Sequence, residues 1–237
     1  MKSARDKLDE ALAATAWNAN VASFRADSDA VGKISERTLR LATWAKQFEI
    51  ADSGNPALSF VRETQVSAQH VAALAALALY KPAAAAMRSM VECALYYTYF
   101  RTHPSELTTL LRDPAYFVDK TFLMDYHKSH TPDFGVLQSA FGWAGKLNEW
   151  YKRISAITHG QIPGKWVSHT SLADIKPEKE LLTEVVKAYG DGEELVHWLY
   201  LCSAGRELWH DFSAPAKRIL LSGLTGDIKS KLGLDIA

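Results

Sequence analysis

Six side chains in this sequence have the types and spacing to do chemistry. Arg153 and His159 close the stretch EWYKRISAITHG (residues 149–160), and Tyr151 and Ser155 precede the histidine at four-residue steps. Arg88 and Glu92, also four apart, lie in KPAAAAMRSMVECALYYTYF (residues 81–100). Histidine titrates near neutral pH and carries a proton in either direction, whereas arginine stays charged and presents a fork that matches phosphate oxygens. Cutting RNA without a metal needs a base for the 2′-OH, an acid for the leaving 5′-oxygen and a cation for the crowded phosphoryl oxygens, and these residue types suit that task. A plainer reading competes. A basic residue in a last helical turn faces the exposed carbonyls, worth about 0.3–1 kcal/mol, a glycine after it is the usual left-handed cap, and Arg88 with Glu92 makes an ordinary ion pair one turn apart.

The elements that must position these residues are helices. Apolar positions recur at three and four residues through most of the chain and alternation is nearly absent, so the fold is expected to be all-α. With about 100° per residue, Leu147, Trp150, Ile154 and Ile157 share a core face, and Asn148, Lys152, Ser155 and His159 fall on the other side. Arg153 then lies about 120° around the helix from His159. A straight helix does not bring the two together; either it loosens near Gly160 or the groups meet across a symmetric pair of chains.

Along the chain, helices are expected over about 4–23, 33–51, 58–80 and 82–101, the last opened by Pro82 and carrying Met87, Val91, Ala94 and Thr98 on one face. Two short helices follow at Pro104 and Pro114, with Asp113 as an N-cap. A long segment covers about 136–158, then a loop over 160–176 with a short extended piece at 165–168. Pro177 opens a helix to about 189, Gly190 and Gly192 break or kink it before an apolar segment over 193–212, and the tail from 214 to 234 is helical in pieces.

Residues 81–100 together with YKRISAITHG resemble the two signature helices of the HEPN superfamily, small helical domains found in RNA-cutting toxins and phage-defence effectors. The family motif is an Arg, four to six residues and a His, matched by Arg153 and His159 with five between. An Arg-xxx-Glu helix followed by Tyr-xxx-Ser-xxx-His-Gly resembles HEPN-like families more closely, through Arg88, Glu92, Tyr151, Ser155, His159 and Gly160. Active members place a polar residue directly after the motif arginine, where this chain has Ile154. The resemblance implies one helical-bundle domain, a core over about 60–212 with the helices of 1–52 packed on it and further C-terminal helices. It also implies a metal-independent endoribonuclease of toxin or phage-defence type, in which two copies of the chain bring Arg153 and His159 to one cleft and leave a 2′,3′-cyclic phosphate. Ser155, Tyr151, Arg88 and Glu92 would orient the histidine or bind phosphate. RNA, a second copy and a regulatory or antitoxin subunit are the implied partners. The alternative is a catalytically silent HEPN-like module that binds a partner protein or a nucleotide; an unrelated helical scaffold is a third.

Bulk properties narrow the classes. Cationic and anionic side chains number 27 each, which excludes a global field for nucleic acid or membrane and leaves a local patch, Lys146, Lys152, Arg153, Lys165 and Arg88, to meet RNA. The longest apolar run, 71–80, is far short of the roughly 20 residues a membrane span needs, and the N-terminus has no apolar signal region. A cytoplasmic protein with reduced Cys93 and Cys202 is expected. No cofactor or metal is expected: His127, His130 and Asp125 lack the second ligand cluster a closed site needs, Arg206 and His210 read as a partly buried helix end, and no phosphate-loop, dinucleotide or nucleophile-elbow motif is present.

Overall fold

The computed structural model describes residues 2–167 and 169–234, and among these every regular element is helical. The elements are α1 (Ala4–Ala14), α2 (Trp17–Ala26), α3 (Ser28–Ala51), α4 (Leu58–Ala76), α5 (Tyr80–Phe100), α6 (Pro104–Arg112), α7 (Lys120–His130), α8 (Phe134–Ala140), α9 (Trp143–Thr158), α10 (Lys179–Cys202), α11 (Ala204–Glu207), α12 (Ala214–Leu220) and α13 (Gly226–Leu232). The buried apolar side chains form one cluster that reaches from Ala30 to Leu234.

α5 runs through the centre, packed by α4, α9 and α10, and α3 closes on α4 and α10. Its expected face, Met87, Val91, Ala94 and Thr98, is buried. Against α4 it sets small residues, Ala83 and Ala84 opposite a helix that buries Ala68 and Ala75, so the two axes come close. The hairpin between them ends α4 with Ala78 at φ +58, where Leu79 N–H bonds Leu74 O at 2.8 Å and Ala78 N–H bonds Ala75 O at 3.1 Å. This double bond pattern is the usual helix terminator, built here on alanine rather than glycine, which is why the sequence reads as helical through to Tyr80.

Several expected boundaries move for physical reasons. The first segment breaks at Thr15, whose hydroxyl bonds both Ala11 O and Leu172 O, and α3 starts earlier than 33 because Asp27 caps Ala30 N–H at 3.0 Å. α1 buries none of its residues. Pro114 opens no helix: Asp113 turns the chain locally by accepting from Ala115 N–H, and Asp119 caps α7 through Phe122 N–H. The segment over 136–158 is two helices, separated at Gly142 with φ +62. At the expected extended piece, Lys165 and Trp166 lie in a turn that Val167 N–H closes on Gly164 O at 3.2 Å, with Trp166 at φ +60 and held by its indole N–H on Glu184 Oε2 at 3.0 Å; Ser168 lies outside the described residues.

α10 runs unbroken through Gly190 and Gly192. Gly192 serves packing: a Cβ there would stand 2.5 Å from Trp150 Cζ2. The missing side chain bares the Ala188 carbonyl, which accepts the Trp150 indole N–H at 2.8 Å, and one heptad back along the antiparallel helix Trp143 donates to Leu195 O at 2.9 Å. Buried Glu193 is clamped by Arg40 Nε on Oε1 at 2.7 Å, by Arg40 Nη2 on Oε2, and by Arg37 Nη1 at 3.2 Å, as a buried carboxylate requires.

Two predictions follow from these contacts. Gly190→Ala meets the Arg37 guanidinium only at ordinary contact distance, 3.5 Å or more, so it should gain up to about 1 kcal/mol of helix propensity. Gly192→Ala, with the same gain in propensity, should instead lose about 1–3 kcal/mol from overpacking against Trp150; urea unfolding of the pair checks the opposite signs. Burial, helped by His103, pushes the His127 ring down to about 4, and its nitrogens are occupied by Thr98 Oγ1 at 2.9 Å and Thr131 Oγ1 at 2.8 Å. Unfolded histidine takes its proton near pH 6.5, so between about pH 6.5 and 4 the unfolded chain binds more protons and stability drops as pH falls, by about 3 kcal/mol from this ring alone. His127→Gln should flatten that slope in unfolding curves taken across the window.

Candidate functional site

The site forms where α9 crosses α5. α9 buries Trp143, Leu147, Trp150, Ile154 and Ile157, the face expected from its spacing, and the indole anchors on α10 fix its rotation. Tyr151, Ser155 and His159 therefore turn toward α5, whose flank presents Arg88 and Glu92. α9 ends in a terminator of the same kind as α4: Gln161 N–H bonds Ala156 O at 2.9 Å, Gly160 N–H bonds Ile157 O at 3.2 Å, and Gly160 has φ +70. His159 is the C-cap residue, with its side chain exposed.

One hydrogen-bonded network joins the two motif helices. Arg88 Nε donates to Glu92 Oε1 at 2.9 Å, and the Tyr151 hydroxyl donates to the same oxygen at 2.5 Å. Arg88 Nη1 meets His159 Nε2 at 2.5 Å. The guanidinium carbon lies 5.0 Å from the Tyr151 ring centroid, and the Lys120 ammonium, at the start of α7, lies 5.3 Å from it. Both are within reach of a cation–π attraction. Lys120 also bonds Asn148 Oδ1, and the Lys81 ammonium stands beside the turn at Gly160, 3.6 Å from where a Cβ there would lie. Arg88 alone touches the exposed imidazole; Lys120 shares the Tyr151 ring with Arg88, and Lys81 stands beside the next residue, Gly160.

Electrostatics follow from the partners. Burial works against the Arg88 charge, but the bond and the charge of Glu92 outweigh it and hold the guanidinium firmly ionised. Burial, reinforced by Glu92, pushes the Tyr151 phenol up to about 12, so it keeps its proton at neutral pH. Burial lowers the Lys120 ammonium from its ordinary value, with Asp119 opposing.

The expected site residues divide. Arg88, Glu92, Tyr151 and His159 are brought together. Ser155 lies between them in sequence, but its Oγ is buried and has no hydrogen-bond partner, so it is screened from an incoming phosphate. Arg153 does not join. The helix stays regular to Thr158, and the guanidinium points toward α10, 3.6 Å from Asp191. There it lines a cavity of about 480 Å³ whose charges are mixed, Lys146 and Lys187 with Glu149, Asp191 and Glu194. Ile154, after the motif arginine, is wholly buried. The basic patch expected from sequence is likewise divided, since Lys165 pairs with Glu184 at 2.7 Å and Arg153 and Lys146 face α10 while Arg88 faces His159. Lys81 and Lys120 were not singled out by any spacing rule, because they reach the site from a helix start and from another element.

The weaker candidates sit elsewhere. Arg206 is tied to Asp133 at 2.9 Å and to Pro132 O at 3.2 Å, and His210 lies exposed beside Asp211. No group of three or more His, Cys, Asp or Glu placed to hold a metal ion occurs among the described residues. No helix among them is long and apolar enough to cross a membrane. Compared with models of protein families, with curated proteins and with solved structures, the chain matches none.

The Arg88 contact dictates a tautomer. Arginine only donates, so His159 Nε2 must accept and the neutral ring carries its proton on Nδ1. Nitrogen-15 correlation spectra should report the Nδ1–H form for His159 in the wild type, reverting toward the Nε2–H form in Arg88→Ala; an unchanged tautomer would mean that the contact does not persist in solution.

Proposed function

We propose that the Arg88–His159 cluster cleaves RNA without a metal, as a HEPN-like toxin-type effector would, with Arg88 taking the place that the motif spacing gave to Arg153. The observation that carries this is the direct contact between the Arg88 guanidinium and the exposed His159 imidazole, made by two separate helices, with Lys120 on the Tyr151 ring that Arg88 also faces and Lys81 beside Gly160. A proton carrier and a phosphate-shaped cation in one open site are what the reaction needs.

At rest, Arg88 covers the Nε2 lone pair of His159. An arriving phosphate gives the guanidinium anionic oxygens, a stronger partner than imidazole, and leaves Nε2 free to take the 2′-OH proton. The 2′-oxygen then bonds phosphorus, the bond from phosphorus to O5′ breaks, and the departing oxygen takes a proton from Lys120. The products are a 2′,3′-cyclic phosphate and a 5′-hydroxyl end. Glu92 and Tyr151 hold Arg88 in place, and these groups all belong to one chain, so a second copy is not required for the chemistry.

One observation favours a second reading, a module that binds a nucleotide or a partner without cutting: Arg88 is already paired by Glu92. Cleavage of total cellular RNA in chelator separates the two. The wild type should cut and leave cyclic phosphate ends, His159→Ala and Arg88→Ala should each lose at least about 100-fold, and Arg153→Ala should stay within a few-fold of wild type. Equal cutting by His159→Ala, or strict dependence on added metal, would remove the proposal; loss of cutting in Arg153→Ala would return the role to that arginine.

A further inference from the structure

Beside the Arg88–His159 contact lies a hollow of about 290 Å³ whose apolar part no step of the proposed cleavage uses. Its lining sets two cations, Arg88 and Lys120, and two carboxylates, Glu92 and Asp119, among apolar side chains that include Leu95 and Phe117. Phe117 is the unusual member. It is 73% exposed, although its neighbours are tied down: the Tyr116 hydroxyl donates to Glu106 at 2.8 Å and Val118 is buried. The loop therefore holds an aromatic ring outward at a fixed place, against the hydrophobic preference to bury it.

We propose that this hollow is a base subsite, in which the nucleobase of a nucleotide stacks on Phe117 while its phosphate meets Arg88. This rests on reading the Arg88–His159 cluster as a phosphate site. Phe117 offers a flat aromatic face near Arg88 and Lys120, whose neighbouring carboxylates Glu92 and Asp119 leave the guanidinium and ammonium to meet a phosphate, and stacking tolerates any base because every base has a π face. The volume lies near the lower bound of small-molecule pockets, which suits a single base with its sugar rather than a larger ligand. Lys120 gains from occupancy as well, since burial disfavours its charge and an anion would restore it.

Calorimetric titration of adenosine 5′-monophosphate and of ribose 5-phosphate, which lacks the base, tests this on the whole chain. The wild type should bind the nucleotide at least about tenfold more tightly than the sugar phosphate. Phe117→Ala, a change at an exposed position, should erase that difference, and Phe117→Trp should preserve it. Equal binding of the two ligands by the wild type, or a nucleotide preference untouched by Phe117→Ala, overturns the base subsite. If Arg88→Ala still abolishes binding in that case, the phosphate site stands without it. Absence of binding by either ligand together with absence of RNA cleavage overturns both.

Discussion

The Trp150 indole lies on the bare backbone of Gly192 and donates to the Ala188 carbonyl, and the site depends on that contact. A helix can rotate about its axis with little change in its own hydrogen bonds, so the bundle needs something that selects one rotation. Two tryptophans, at positions 143 and 150, do this by reaching backbone carbonyls of α10 one heptad apart. With their rings fixed, Tyr151 and His159 must face α5 and Arg153 must face α10. The identity of the cation beside the imidazole is thus settled by packing on the far side of the helix.

On the near side the constraint is electrostatic. Glu92 receives both the Arg88 guanidinium and the Tyr151 hydroxyl, which joins α5 to α9 through one carboxylate oxygen. Such partly exposed pairs contribute about 1 kcal/mol or less to stability, so their consequence is placement more than strength. They hold the guanidinium fork edge-on to His159. The buried Glu193 cluster differs in kind. Its carboxylate is out of water, and removing both arginines would strand a charge at a cost of about 3–5 kcal/mol, whereas loss of Arg37 alone leaves both oxygens on Arg40. It ties α3 to α10, the helix on which α9 is set.

Much of this was legible in the residues. Helical periodicity gave the class and the buried face of α9, and the Arg88–Glu92 pair and the Tyr151-to-His159 stretch, two four-residue steps long, converge although some sixty residues separate Glu92 from Tyr151. The angular argument that a straight helix keeps Arg153 from His159 holds in the structure. What could not be read were features that depend on a neighbour. Gly192 looked like a breaker because its reason for being glycine is a ring on another helix. Pro114 with Asp113 carries the same local signals as a helix start, yet Asp119 holds the cap because the chain must first pass Tyr116 to Glu106 and bury Val118. Ala78 ends a helix in a conformation that glycine usually adopts, so nothing in its identity announced the turn.

The chain leaving His159 is stitched down on its way to α10. Glu184 holds Lys165 and the Trp166 indole, Thr15 bonds Leu172 O, and the buried Asn20 amide bonds Ile175 O at 3.3 Å and Leu77 O at 3.4 Å. A segment fastened at so many points is poorly suited to swing as a flap. On that side the exposed face of the His159 ring is set by the fold itself, and its openness is a fixed property of the chain that follows it.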